Sequence, residues 1–217
     1  MMMIYLLTLA LALGQPLVEP FQAPRAEAPV GVLVVLETEL GSITLEVDVE
    51  HAPITTTNFL KYVEEDFYRG GEFHRAVRPD NEVRKDVPIQ VVQARINQAR
   101  RARAFPPIPL ERTNETGLRH LDGTLSMARD VTPTRPGPDT ATSGFFICIG
   151  DQPVLDYGGG RSPDGQGFAA FGRVVAGMDV VKKIQMSPTP TGTPATKLAA
   201  AGQTLVPTIK IVRAYRK

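Results

Sequence analysis

The chain has no tryptophan, one cysteine, three histidines and no surplus of charge in either direction. A lone Cys148 excludes a disulfide framework and leaves nothing to mispair with in an oxidising compartment. His51, His74 and His120 share no ligand spacing and no cysteine pair accompanies them, so the sequence holds no zinc motif and implies no metal. With 24 Lys and Arg against 23 Asp and Glu, the overall electrostatics favour neither nucleic acid nor anionic lipid as a partner. Glycine and proline are plentiful instead, 19 of each in 217 residues. They follow no Gly-x-y period, which excludes collagen and favours a loop-rich β protein. An apolar fraction of 42% is enough to build a core, and the length suits one compact domain with extras.

Met1 to Leu13 carry no charged side chain but are too few to span a bilayer, so no transmembrane span is expected. Ala12-Leu13-Gly14-Gln15 places small residues two apart at the end of that run, the pattern of a cleavable export signal over residues 1–14, although no Lys or Arg precedes it. Pro16, Pro20, Pro24 and Pro29 make residues 15–31 a proline-rich tether. The folded domain is expected over 32–217, and the protein is expected to be exported, periplasmic or extracellular.

Leu33 to Leu36 form an apolar run, and Ile43, Leu45 and Val47 alternate with Thr44, Glu46 and Asp48, which predicts a hairpin. Pro53 suits a helical first turn; Phe59, Leu60, Val63 and Phe67 recur at helical spacing until Gly70-Gly71. Short apolar stretches follow at Val87 to Val92, Gly123 to Ala128, Gly144 to Ile149, Phe168 to Val175 and Thr208 to Ala214, and a second helix is predicted at Met178 to Ile184. Many short strands imply a barrel or sandwich. There is no internal repeat.

Several local sequences then stand out: Phe73-His74-Arg75, the strand ending in Gln93, Leu125-Ser126-Met127-Ala128, Ser143 through Cys148, Leu155-Asp156, Phe171-Gly172-Arg173-Val174 and Gly177-Met178, with Asn58-Phe59 in the first helix. From about Leu33 to Ala214 the chain resembles the cyclophilins, the peptidyl-prolyl cis-trans isomerases. The resemblance implies a mainly β fold, a closed eight-stranded antiparallel barrel capped by two short helices. It also implies an enzyme without cofactor, a monomer acting on proline-containing polypeptides.

Rotating an X-Pro bond costs amide resonance, against a barrier of roughly 20 kcal/mol, so a group that stabilises the twisted amide is catalytic. The twisted prolyl nitrogen recovers its lone pair and accepts a hydrogen bond, which a fixed guanidinium fork can donate. Arg75 matches the catalytic arginine of the family. Gln93, Val91, Met127, Ala128 and Arg129 fall on its substrate-binding positions, and Phe146, Leu155 and Phe168 on its apolar proline pocket.

The departures are specific. The apolar pair before the family's glutamine is Gln90-Val91, the Gly-Gly after it Ala94-Arg95, the second substrate-side glutamine falls on Gly144, the asparagine on Arg129 and the pocket tryptophan on Val154. They favour an alternative reading, a non-catalytic peptide-binding or chaperone module. Two insertions add charge and turns: Arg78 to Asp86 between Arg75 and Gln93, and Gly158 to Gly165, which lacks the Gly-Lys-Ser/Thr end of a phosphate cradle. The run Arg95, Arg100, Arg101, Arg103 is placed beside the groove, where it would select acidic peptides or touch a membrane surface, unless it is an ordinary solvated face. Cys148 reads as a small buried hydrophobe. Ser126 and Ser143 lack a nucleophile elbow.

Overall fold

The computed structural model describes residues 31–131, 137–191 and 200–217, so the leader at 1–14 and nearly all of the tether at 15–31 lie outside the described residues. Strands β1 (Val32–Thr38) and β2 (Gly41–Val47) form the predicted hairpin. Ile43, Leu45 and Val47 are fully buried, and Gly41 turns the chain at φ 132°, a conformation that side chains with a Cβ rarely adopt.

Helix α1 (Pro53–Glu64) starts with proline in its first turn, and the N–H groups of Ile54 and Thr55 donate to the Glu111 carboxylate at 3.0 and 2.7 Å. A carboxylate from a distant loop thus satisfies orphan donors at the positive end of the helix. The helix stops short of the predicted Gly70. Asp66 enters the left-handed region at φ 59° and the chain winds on in turns, which still leave Phe67 buried edge-on to Tyr62 at 5.1 Å. Phe67 therefore mimics helical spacing without being helical.

The remaining elements are β3 (Glu72–Val77), β4 (Val91–Arg95), a single turn α2 (Thr113–Thr116), β5 (Thr124–Met127), β6 (Phe145–Cys148), β7 (Ala169–Ala176), α3 (Met178–Gln185) and β8 (Thr204–Arg216). The strands close into a barrel in the order β1-β2-β7-β5-β6-β4-β3-β8, every pair antiparallel, so no sheet edge is left open. Two elements differ from the sequence pattern. The stretch predicted at Val87 to Val92 becomes strand only at Val91, because the Ile89 N–H is taken by the Glu82 carboxylate at 3.1 Å rather than by a neighbouring strand. Strand β3 had no apolar run to mark it, since Glu72, His74 and Arg75 occupy half of its six positions.

Strand alternation sorts the side chains into two populations. Phe73, Ala76, Val92, Ala94, Leu125, Met127, Phe145 and Ile147 fill the barrel, packed with Phe59, Tyr68 and Phe171. Phe59 meets Phe145 edge-on at 5.5 Å and Phe171 at 5.3 Å. Val77, Val91, Phe146 and Cys148 point the other way and form a second apolar cluster with Ile89, Leu155 and Phe168. A bulge at His74 makes this sorting possible. Phe73 pairs with Ala94 and Arg75 with Gln93, leaving His74 outside the register. In a regular strand Phe73 and Arg75, two positions apart, would share a face; with the bulge, Phe73 enters the core and Arg75 stands on the outside.

Candidate active site

One transverse row of directly paired residues crosses the outer face of the barrel. Thr204 of β8 pairs with Arg75 of β3, Arg75 with Gln93 of β4, Gln93 with Phe146 of β6, Phe146 with Ser126 of β5, and Ser126 with Ala170 of β7. Register, rather than proximity in sequence, brings the guanidinium, the amide and the aromatic ring side by side.

The guanidinium of Arg75 is held on two flanks. Nη1 donates to Gln93 Oε1 at 3.1 Å, while Nε and Nη2 donate to Gln203 Oε1 at 3.0 and 2.8 Å. Three of the five donors of an arginine are spent in this way, which leaves one N–H on each Nη. Burial lowers the Arg75 pKa to about 10, Arg161 adding like-charge repulsion and Glu82 opposing it. The group therefore stays cationic at neutral pH, and Arg75 is only half-buried.

Beside this fork lies the second apolar cluster. Phe146 meets Phe168 edge-on at 5.6 Å, with Val91 and Leu155 beside them and Ala128 and Val154 packed against the group. Behind Phe146 the ring of His120 stacks at 6.1 Å, nearly parallel, tied through Nδ1 to Asp156 at 2.6 Å and through Nε2 to the Ser126 hydroxyl at 2.8 Å. This Asp-His-Ser series resembles a nucleophile relay only on paper: Ser126 is fully buried, with its hydroxyl 3.0 Å from the Ala169 carbonyl, so no substrate reaches it. Its place is under the pocket floor. The pairing joins residues up to 36 positions apart, and no local motif announces it.

Two of the predicted substrate-binding residues sit differently. Met127 points into the barrel core, the parity opposite to Ala128, so its side chain does not face the groove. Arg129 is engaged: Nη1 and Nη2 meet the Asp164 carboxylate at 2.9 and 2.7 Å, Nε donates to the Gly167 carbonyl at 2.8 Å, and the guanidinium lies 5.4 Å from the Phe168 ring. The Arg129 hydrogen bond holds the Asp164 pKa at about 2. Arg129 thus braces the loop that carries Phe168 and has no side-chain surface exposed to meet a peptide.

The two insertions form one assembly next to Arg75. Glu82 is buried and accepts from Arg161 Nη1 at 3.0 Å and from the Arg84 N–H at 2.8 Å. Arg161 Nη1 also donates to the Val87 carbonyl and Arg84 Nη1 to the Arg161 carbonyl, at 2.8 and 3.0 Å. By contrast, the arginine run goes elsewhere: Arg95 pairs with Glu72 at 2.5 Å, and Arg100 reaches the Glu65 carbonyl at 3.3 Å and Asp66 at 3.9 Å, at the far end of α1. Burial pushes the Cys148 thiol up, which keeps it protonated and inert. Among the described residues, no group of three His, Cys, Asp or Glu side chains is placed to hold a metal ion, and no helix is long and apolar enough to cross a membrane.

The family model described as "Cyclophilin type peptidyl-prolyl cis-trans isomerase/CLD" matches residues 33–215. The chain belongs to the cyclophilin family. Among its relatives, a peptidyl-prolyl cis-trans isomerase of Acinetobacter baylyi is 39% identical over 76% of this chain and 78% of that protein. Peptidyl-prolyl cis-trans isomerase A of Dickeya dadantii is 37% identical over 75% of each chain. A cyclophilin-type isomerase of Cryptosporidium parvum, crystallised in the presence of the dipeptide Ala-Pro, superposes with a TM-score of 0.61 at 18% identity, covering 85% of this chain and 98% of that one. In this cyclophilin the barrel, the outward Arg75 and the apolar cluster beside it stand in one continuous arrangement. The protein is accordingly a peptidyl-prolyl cis-trans isomerase.

Proposed function

We propose that Arg75 is the catalytic group of this isomerase and that the cluster of Val91, Phe146, Leu155 and Phe168 seats the proline ring. The observation that carries the reading is the half-buried, doubly held guanidinium, with one N–H on each Nη uncommitted, two register steps from Phe146. An X-Pro segment lying across the row places its ring on the aromatic floor and its imide beside the fork. As the bond twists, the prolyl nitrogen becomes pyramidal and gains a lone pair. An Nη–H already in place donates to it, while the planar ground state offers no such acceptor. No proton leaves and no bond breaks, so the chemistry is differential hydrogen bonding in a partly desolvated setting.

Gln93 serves both to hold Arg75 and to face the peptide, and Ala128 lines the pocket edge. At Gly144 a side chain is missing but not forbidden: a Cβ there would sit 3.6 Å from Ala128 Cβ and 3.6 Å from the Ala94 carbonyl oxygen, ordinary contact distances. The weaker grip on the peptide backbone that this glycine implies is a matter of affinity and leaves the Arg75 fork intact.

The test is exchange spectroscopy on a proline peptide with the parent protein and Arg75→Ala. Uncatalysed exchange takes tens of seconds or more, so catalysis is easy to detect. The parent accelerates exchange and Arg75→Ala loses at least ten- to a hundredfold while remaining folded, from the ~1.5 to 3 kcal/mol of a hydrogen bond to charge. Arg75→Lys keeps the charge but not the planar fork and recovers little. A folded Arg75→Ala with full activity refutes the assignment.

The apolar run Met1 to Leu13 and the small residues behind it support placing the enzyme outside the cytoplasm. N-terminal sequencing of protein from an extracytoplasmic fraction should begin near Gln15, whereas recovery only from the cytoplasm with Met1 intact contradicts export.

A further inference from the structure

We infer that Gln203 is a positioning residue for catalysis, the side chain that sets the plane of the Arg75 guanidinium, and that it does so as the end of a clamp built from the insertion after β3. The inference rests on Arg75 being the catalytic group. Gln203 lies immediately before β8 and is fully buried. Its own backbone is anchored, the carbonyl accepting from the Ala76 N–H at 3.0 Å and the N–H donating to the Ala200 carbonyl at 3.1 Å. Its amide has one possible orientation. Oε1 faces Nε and Nη2 of Arg75, which can only donate, and Nε2 faces the Asn81 carbonyl at 3.1 Å, which can only accept. A flipped amide would set donor against donor at one end and acceptor against acceptor at the other.

Asn81 is held as firmly. Its Oδ1 accepts from the Arg78 N–H at 2.8 Å, and its Nδ2 donates to the carbonyls of Ala76 and Gly202 at 3.0 and 3.2 Å and lies 3.3 Å from the Thr189 hydroxyl. Arg78, in turn, donates through Nη1 to the carbonyls of Gln185 and Ser187 at 2.6 and 3.2 Å, closing over the C-terminal end of α3. A path of direct hydrogen bonds therefore runs from the end of α3 through Arg78 and Asn81 to Gln203 and the guanidinium.

The consequence is geometric. Gln93 alone fixes one N–H of a long, rotatable side chain. Gln203 grips the opposite edge at two N–H groups, so the two amides together define the plane and aim the remaining Nη–H donors at the groove. Peptide binding in the ground state depends mainly on the apolar floor, whereas stabilising the twisted imide depends on the fork being in place beforehand. Loss of Gln203 should therefore lower the on-enzyme isomerisation rate far more than the affinity.

The experiment compares the full chain with Gln203→Leu, Gln203→Glu and Arg75→Ala, using line-shape analysis of a proline peptide to separate affinity from isomerisation rate and the Arg75 Nε–Hε resonance to report the clamp. Expected for Gln203→Leu is a rate loss on the order of tenfold or more, affinity within about twofold, a Tm that leaves the protein folded at assay temperature, and an Arg75 Nε–Hε signal moved to the position of a solvated arginine. Gln203→Glu keeps an acceptor for Arg75 but loses the donor to the Asn81 carbonyl, so it should recover part of the rate, above the Leu variant, and a shifted, protected Nε–Hε signal, which a merely structural role would not produce. A folded Gln203→Leu with the parental rate overturns the inference, as does a Gln203→Glu protein whose rate stays at the Leu level. If Gln203→Leu does not fold, Gln203→Glu decides: a solvent-like Arg75 signal in it rejects the clamp. Full activity in Arg75→Ala would instead reject the underlying assignment of Arg75, so the two failures are distinguishable.

Discussion

Two charged segments of this protein lie close in sequence, 78–90 and 95–103, and meet opposite fates. In the first, Arg78 closes over the end of α3, Asn81 grips Gln203, and Glu82 is buried under Arg161 with its carboxylate fully engaged. In the second, the two turns of 3-10 helix over Gln98–Arg103 bury no residue, and Arg101 and Arg103 are exposed. The first segment mixes Arg78, Arg84 and Lys85 with Asp80, Glu82 and Asp86, whereas the second holds four arginines and no acidic residue. The first segment meets a second insertion that supplies the complementary charge and carbonyls; in the second, Arg95 pairs with Glu72 of β3 and residues 98–103 meet only the end of α1. A charged loop becomes architecture when another loop satisfies it, and stays a solvated face otherwise.

The comparison breaks most directly at Glu82. Glu82→Ala leaves the Arg161 guanidinium next to Arg75 without its counter-charge and orphans the Ile89 and Arg84 N–H groups. Removing one partner of a buried pair costs about 3–5 kcal/mol. For a domain of this size that is a fall in Tm on the order of 10 °C, read by thermal unfolding. A Tm unchanged within error would mean that the first segment is as dispensable as the second.

Acid acts at a buried titratable group close both to Arg75, beside the first segment, and to Arg95 of the second. His74, at the bulge beside Arg75, has neither ring nitrogen hydrogen-bonded among the described residues, and burial, with Arg95 and Arg75 nearby, lowers its pKa to about 3; Glu72 opposes this. Below pH 6.5 the unfolded chain protonates this histidine while the folded one does not. Stability is therefore full above about 6.5 and is lost as pH falls towards 3, at up to about 1.4 kcal/mol per pH unit. Glu72, whose burial is outweighed by hydrogen bonds from Lys210, Arg95 and Thr208, sits at about 2. With the folded pKa depressed, its contribution disappears only below about 4.5, as pH falls towards 2. His74→Phe should accordingly flatten the dependence of Tm on pH between 6.5 and 5. An identical slope in parent and variant would assign the acid sensitivity elsewhere.

The smallest effect belongs to the solvated face. Replacing Arg101 and Arg103 together by alanine should change stability by less than about 0.5 kcal/mol, as exposed positions do, and leave the isomerisation rate of an acidic and a neutral proline peptide in the same ratio. A selective loss on the acidic peptide would show that the run recruits substrate after all.

Much of this molecule was written locally. The alternation of Ile43, Leu45 and Val47 determined the hairpin and its buried face, the spacing of Val181 and Ile184 determined α3, and the motifs around Arg75, Gln93 and Phe146 determined which family chemistry to expect. Period and motif are short-range properties, readable from neighbours on the chain. Other features were not. Met127 and Ala128 are adjacent, so alternation alone signals that both cannot face the groove, but which one does depends on where the barrel closes. Strand β3 carries too many polar residues to show a pattern, and the bulge at His74 that turns Arg75 outward exists only against β4. Arg129 looked like a ligand-facing substitution until Asp164, 35 residues away, was seen to hold it. Gln203, 128 residues from Arg75, carries no local mark at all. Which strand face, which register and which remote partner a polar side chain finds are settled when the barrel closes, because only then do distant carbonyls, carboxylates and amides come within hydrogen-bonding reach.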